Sequence, residues 1–400
     1  MDKQATKSRI YLDNAATTKI SPEVLAAMMP CMTDIYGNAS SVHSFGRDAA
    51  KLVEKAREQV ANAIGAKKNE IYFTAGGTES DNWAIKGAAL AQAKKGRHII
   101  TSAIEHHAVL HTCESLEKHG FEITYIPVDS EGIVSADDVA AAIRPDTILV
   151  TIMAANNEIG TIQPISEIGA ICREKKVWFH TDAVQAIGNM PINVAEMKID
   201  MLSLSAHKFF GPKGVGALYI RTGVRPLTLI DGGAQERGKR AGTENLAGIV
   251  GLGAAIEIAM RDMDKNSAHE KHLRDMLFDE IIEKIPYTVV NGSREKRLPG
   301  NVNVSIRFIE GEGMLLLLDM QGVAASSGSA CTSGSLDPSH VLLAIGLDHE
   351  TAHGSLRLTL SPENTEEEVH KTVDILAKSI ERLRAMSPLF NQTEGGLKNV

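Results

Sequence analysis

The chain has 400 residues, 43% hydrophobic and 23% charged, with a formal net charge of −8 at pH 7. That length exceeds what a single hydrophobic core usually serves, so two domains are expected. The acidic balance argues against a nucleic-acid binder, and the most apolar helical stretch, Leu246 to Met260, is broken by Glu257 and falls short of the about 20 apolar residues that span a membrane.

Through the first two thirds of the chain, short apolar strands alternate with helical patterns, as in a mainly parallel, doubly wound α/β sheet. Seven strands are expected, at Ile71–Thr74, His98–Ser102, Glu122–Ile126, Thr147–Ile152, Val177–His180, Met201–Ser205 and Val215–Ile220, with helices such as Ser80–Ala93 and Ile165–Lys175 between them. After about residue 262 the pattern changes to a charged helix (His269–Lys284), a strand (Val302–Ile306), a helix (Glu312–Met320) and a strand (Ser355–Leu360), the order of a smaller α+β domain. The expected division is a large domain over 17–262 and a small one made of 1–16 and 263–400, with a mobile tail from Asn391 to Val400. Four cysteines (Cys31, Cys113, Cys172, Cys331) are scattered without a CxxC pair, which suits a reducing compartment better than a disulfide framework or zinc site. With a polar stretch over Met1–Arg9 in place of an apolar leader, the expected location is the cytoplasm.

Three features converge on one chemistry. Lys208 closes the run Met201-Leu-Ser-Leu-Ser-Ala-His-Lys208, just after a strand and before Gly211-Pro212, where its amine can point into a cleft; the bland alternative is a solvated lysine. Asp182 follows an apolar strand, either as a helix cap or as an anion for a cationic ligand atom. Thr74-Ala-Gly-Gly-Thr78-Glu-Ser-Asp81 reads as strand, glycine turn and helix start, an anion site by its free N–H groups and dipole. Thr78 and Asp81 at this spacing also read as a capping box. A lysine, an anion and a phosphate cradle are what pyridoxal phosphate requires of a protein. Open α/β sheets place ligands at such strand ends. Cys331 lies in Ala324-Ala-Ser-Ser-Gly-Ser-Ala-Cys-Thr-Ser-Gly-Ser335, a run of small residues that suits a mobile arm, whereas Cys113 and Cys172 sit on helical patterns that suit a core. His349-Glu-Thr-Ala-His353 matches a zinc-protease pattern, but Gly354 and a strand follow at once, so no metal site is expected. His107 and His111 read as surface residues.

The set Tyr11-Leu-Asp-Asn-Ala-Ala-Thr17, Gly76-Gly-Thr-Glu-Ser-Asp81, Glu105-His106, Asn156-Asn-Glu-Ile-Gly160, Asp182-Ala-Val-Gln185 and Ser205-Ala-His-Lys208 resembles the class V group of fold-type I pyridoxal-phosphate enzymes. Arg240-Ala-Gly-Thr243, Ser329-Ala-Cys331 and Ser355-Leu-Arg357 narrow the resemblance to cysteine desulfurases of the NifS type. It implies a mainly parallel seven-stranded sheet in a large domain beside a smaller α+β domain. Lys208, His106 and Cys331 would be catalytic: Lys208 holds the cofactor as a Schiff base and moves the α-proton, His106 stacks on the ring, and Cys331 takes the sulfur. Asp182 would pair with the ring nitrogen and Gln185 with the ring hydroxyl. Gly77, Thr78, Ser205 and His207 would hold the phosphate, with Thr243 arriving from the second subunit of a homodimer. Asn157 and Arg357 would grip the L-cysteine carboxylate, with Asn38 beside them; Asn157 would also touch the cofactor. The implied product is L-alanine, and the implied acceptor of the sulfur is an iron–sulfur scaffold protein. Selenocysteine lyase and a small-molecule aminotransferase of the same fold are the alternative activities. One departure is Ala39 in Gly37-Asn-Ala-Ser-Ser41, where many relatives carry proline.

Overall fold

The computed structural model describes residues 9–327, 338–387 and 390. Cys331, the polar stretch before Arg9 and the tail from Asn391 lie outside the described residues. In chain order the strands are β1 (Ile10–Tyr11), β2 (Ile71–Thr74), β3 (His98–Ser102), β4 (Glu122–Ile126), β5 (Thr147–Thr151), β6 (Trp178–Asp182), β7 (Met201–Ser205), β8 (Gly216–Ile220), β9 (Thr288–Val290), β10 (Asn301–Ile306), β11 (Val323–Ala324) and β12 (Ser355–Thr359).

β2 to β8 form one sheet in the order β2-β8-β7-β6-β5-β3-β4. β8 runs antiparallel to both neighbours and the other pairs are parallel. Every residue of β3, β5, β7 and β8 is buried. Helices cover both faces of such a sheet, which is why most of its strands read as short apolar runs. All seven predicted strands belong to this sheet, with ends shifted by at most two residues. A second, antiparallel sheet has the order β12-β10-β9, and β1 pairs in parallel with β11.

The helix Leu246–Lys284 runs unbroken for 39 residues, beginning well before the expected His269, and residue 262 lies inside it. Leu252 and Ile256 near its start pack into the core under the large sheet, whereas Leu273, Leu277 and Ile281 near its end pack with β10 and β12. One helix therefore ties both cores together. No helix among the described residues is long and apolar enough to cross a membrane.

Candidate active site

β6 ends at Asp182; β7 ends at Ser205 and passes into one 3-10 turn, Ala206–Lys208. These strand ends, the start of the helix Gly77–Gln92 and the loop after β1 surround a cavity of about 350 Å³. Ten of the predicted residues line it: Gly77, Thr78, His106, Asn157, Asp182, Gln185, Ser205, His207, Lys208 and Arg357.

Lys208 Nζ donates to the carbonyls of Ala15 and Ala16 at 2.6 and 2.8 Å, and Gln185 Nε2 donates to Ala15 O at 2.9 Å. Asp182 Oδ1 accepts from Val184 N at 2.9 Å, while Oδ2 makes no hydrogen bond among the described residues. Burial pushes this carboxyl up to about 6, against the Val184 N–H and the Lys208 cation. A buried carboxylate with one oxygen still unserved at a cavity wall suits a cationic ring nitrogen.

The helix Gly77–Gln92 begins three residues before the expected start and carries no side-chain cap. Asp81 is therefore not part of a capping box: it sits inside the helix, 1% exposed, with Oδ1 unpaired. His180 Nε2 lies 3.6 Å from that oxygen, but burial pushes His180 down to about 3, so the contact joins a neutral ring to a carboxyl whose own pKa burial and Asp182 raise. The first N–H groups of an uncapped helix have no partner within it. A Cβ at Gly77 would come within 2.7 Å of Val184 Cγ2, so only glycine leaves this end open. Free N–H donors, Thr78, Ser205 and His207 on one wall are a fitting cradle for a phosphate.

His106 caps the helix His107–Glu117, its Nδ1 accepting from Ala108 N at 3.1 Å. That contact leaves the hydrogen of the neutral ring on Nε2. Burial first, then the Lys208 charge, push His106 down to about 4. His207 is held at about 4 by the same two effects, with Nδ1 3.1 Å from Thr17 Oγ1. Arg357, on β12, is 2% exposed; its Nη1 donates to Asn157 O at 2.9 Å and its Nη2 to Asp13 Oδ1 at 3.0 Å.

Two predicted site residues lie away from this cavity. Asn38 is exposed, its Oδ1 accepting from Ser40 N at 2.8 Å. Thr243 is exposed beside a separate hollow that Arg240 and Glu244 also line. Cys331 lies outside the described residues, but both flanks of its segment are held at the site. Ser326 exchanges backbone hydrogen bonds with Arg357 at 2.7 and 3.2 Å. Ser339 Oγ donates to Glu158 Oε2 at 2.5 Å. Cys113 and Cys172 are fully buried, and burial pushes both thiols up.

Sequence reasoning assigned no role to Glu105, Glu158 or His340, which line the same cavity. Glu105 Oε1 accepts from Ser102 Oγ at 2.7 Å and Met153 N at 2.9 Å, while Oε2 is unpaired and burial pushes the carboxyl up to about 8. Burial raises Glu158 to about 7. His340 Nε2 donates to Glu105 O at 3.0 Å. The two glutamates stand inside motifs already singled out, and that adjacency was the only available signal. His107 stacks on His111 at 4.9 Å between ring centroids; His111 is exposed, but His107 reaches the cavity wall. The helix His349–His353 has only five residues.

The family model described as Aminotransferase class-V matches residues 10–372. A cysteine desulfurase IscS of Clostridium botulinum (strain Hall) is 58% identical over 384 residues, 96% of this chain and 97% of the relative. The chain belongs to the cysteine desulfurases of the class-V aminotransferase family. This cysteine desulfurase homologue is also similar to a solved NifS-like protein, with a TM-score of 0.89 and 41% identity over 94% of this chain and all of the other. A solved structure described as SspA in complex with cysteine matches at a TM-score of 0.79 and 40% identity, over 90% of this chain and all of the other. The fold is therefore that of fold-type I pyridoxal-phosphate enzymes, and the family depends on the cofactor whose requirements the cavity meets.

Proposed function

We propose that the chain removes sulfur from L-cysteine, releasing L-alanine, and holds it on Cys331 as a persulfide for an acceptor protein of iron–sulfur cluster assembly. The supporting observation is that the Lys208 amine, the buried Asp182 carboxyl and the Arg357 guanidinium face one cavity. Pyridoxal phosphate, carried on Lys208, supplies an electron sink that makes the substrate α-proton acidic. Asp182 offers Oδ2 to the ring nitrogen and favours a proton there. Gln185 serves the ring hydroxyl, and Gly77, Thr78, Ser205 and His207 hold the phosphate.

Lys208 takes the α-proton at Nζ. His106, with its hydrogen on Nε2, would lie against the bound cofactor's ring and assist proton transfer, a role worth roughly 10²–10⁴ in rate. Arg357 binds the substrate carboxylate with the planar fork that suits it, joined by Asn157 and, in our reading, by Asn38. The Cys331 thiolate attacks the substrate sulfur: an S–S bond forms as the C–S bond breaks, and the carbon fragment leaves as alanine.

The large domain, 17–262, supplies the cofactor site, and the small one, 1–16 with 263–400, carries Cys331. We place Thr243 on the phosphate of a second copy in a homodimer; its exposure beside a separate hollow is compatible with a contact made in trans. The unpaired Cys31, Cys113 and Cys172 fit a reducing cytoplasm. The test is reduction of the purified, cofactor-loaded protein with borohydride followed by peptide mass spectrometry. Label on the peptide containing Lys208 is expected, and label on another lysine would refute the assignment.

A further inference from the structure

Behind Lys208 lies a second cavity, of about 50 Å³, room for roughly three waters. Ala15, Gln185 and Lys208 line both this cavity and the larger one, so they form the wall between them. Glu270, on the helix Leu246–Lys284, also lines the second cavity. Glu270 is 6% exposed, and its carboxyl makes no hydrogen bond or ion pair among the described residues. Gly300 leaves room for it: a Cβ there would come within 3.0 Å of Glu270 Oε2. A carboxyl buried without a protein partner is unfavourable unless water or a proton satisfies it. Asn14, Asn189 and Asn301 complete a polar lining suited to water.

We propose that Glu270 resets Lys208, exchanging a proton with its amine through water in this second cavity. The inference rests on the reading of Lys208 as the cofactor lysine. Before Lys208 can act as a nucleophile its ammonium must lose a proton. That proton passes from Nζ to water, and water passes one to the Glu270 carboxylate. A neutral amine and a neutral acid result, and the reverse path restores both charges.

Burial pushes the Glu270 carboxyl up to about 8, toward the range in which a group both takes and returns protons near neutral pH. Lys208 is the other charged side chain among the residues that line the cavity. On its own helix, Arg274 is bonded to Asp275 and Leu298 O, and His269 to Asn364 O. Leu298, Gly300, Asn301, Thr359 and Leu360, which also line the cavity, are neutral.

The test is the rate at which cofactor-free protein captures added pyridoxal phosphate, followed by visible absorbance from pH 6 to 9. Capture needs the neutral amine. Glu270→Gln should slow capture about tenfold near pH 8, where the parent carboxylate is populated enough to take the proton, with little effect near pH 6, where the parent's own Glu270 is already protonated. Glu270→Met, which leaves no buried amide to satisfy, should be slow over the same window. Glu270→Asp should stay within about threefold of the parent. A purely electrostatic role has the opposite sign, because losing a nearby carboxylate lowers the amine's pKa and speeds capture. Unchanged or faster capture near pH 8 in Glu270→Gln or Glu270→Met overturns the inference. A parent chain that captures no cofactor at Lys208 would instead overturn the cofactor reading, and this inference with it.

Discussion

Asp182 and Asp81 differ in what their oxygens touch. Asp182 keeps Oδ2 for the cavity, whereas Asp81 turns an unpaired Oδ1 toward a neutral histidine. Removing one member of a buried charge pair costs about 3–5 kcal/mol, so Asp182→Asn should weaken cofactor binding by roughly a hundred- to several-thousandfold in an equilibrium titration of the cofactor-free protein. An unchanged affinity would remove Asp182 from the ring nitrogen. Arg357→Lys keeps the charge and loses the fork, so the KM for L-cysteine should rise about tenfold or more while kcat changes less; steady-state kinetics decide. The two aspartates were not equally legible in the sequence. Asp182 follows a strand end, a position that carries meaning in an α/β sheet. Asp81 shares its spacing with a capping box, and only the earlier helix start, at Gly77, reveals that it is interior.

At the scale of elements, the segment bearing Cys331 leaves from an antiparallel bridge at Ser326 and returns at Ser339, which caps the helix His340–Ala344. Ser339 serves that cap and Glu158 together, so Ser339→Ala should cost about 1 kcal/mol for the cap alone. We expect Ser339→Ala and Glu158→Gln to slow persulfide formation while leaving exchange of the substrate α-proton in heavy water near the parent rate. Equal loss in both assays would mean that this anchor supports the whole site and not the cysteine arm. The large sheet was readable because most of its strands are buried and carry short apolar runs between turn signals. β9, β1 and β11 were not, since two or three residues carry no periodicity. The early part of the helix Leu246–Lys284 is glycine-rich, which hid its continuity with the charged part.

For the molecule as a whole, buried carboxyls decide how stability follows pH. Burial raises Glu158 to about 7 and Glu105 and Glu270 to about 8, while His106 and His207 are lowered to about 4. Above about pH 7.5 those histidines are neutral whether the chain is folded or not, and the raised carboxyls set the difference. The folded chain then holds protons on Glu105 and Glu270 that the unfolded chain has already released, so stability falls as pH rises through 8. The Tm of the cofactor-free protein should therefore drop between pH 7.5 and 8.5, and Glu105→Gln should flatten that drop. A Tm that is level or rises across this window would contradict the protonation states assigned to the site.

The central claim separates the work of the cofactor cavity from that of Cys331. Lys208, Asp182 and His106 face the cavity and act on the α-proton, whereas C–S cleavage requires a thiolate from a segment tethered at its rim. Cys331→Ala is therefore the most direct test, with alanine release from L-cysteine measured beside α-proton exchange in the same sample. The account predicts a variant that keeps its cofactor, exchanges the α-proton and releases no alanine. Alanine released at the parent rate would contradict it.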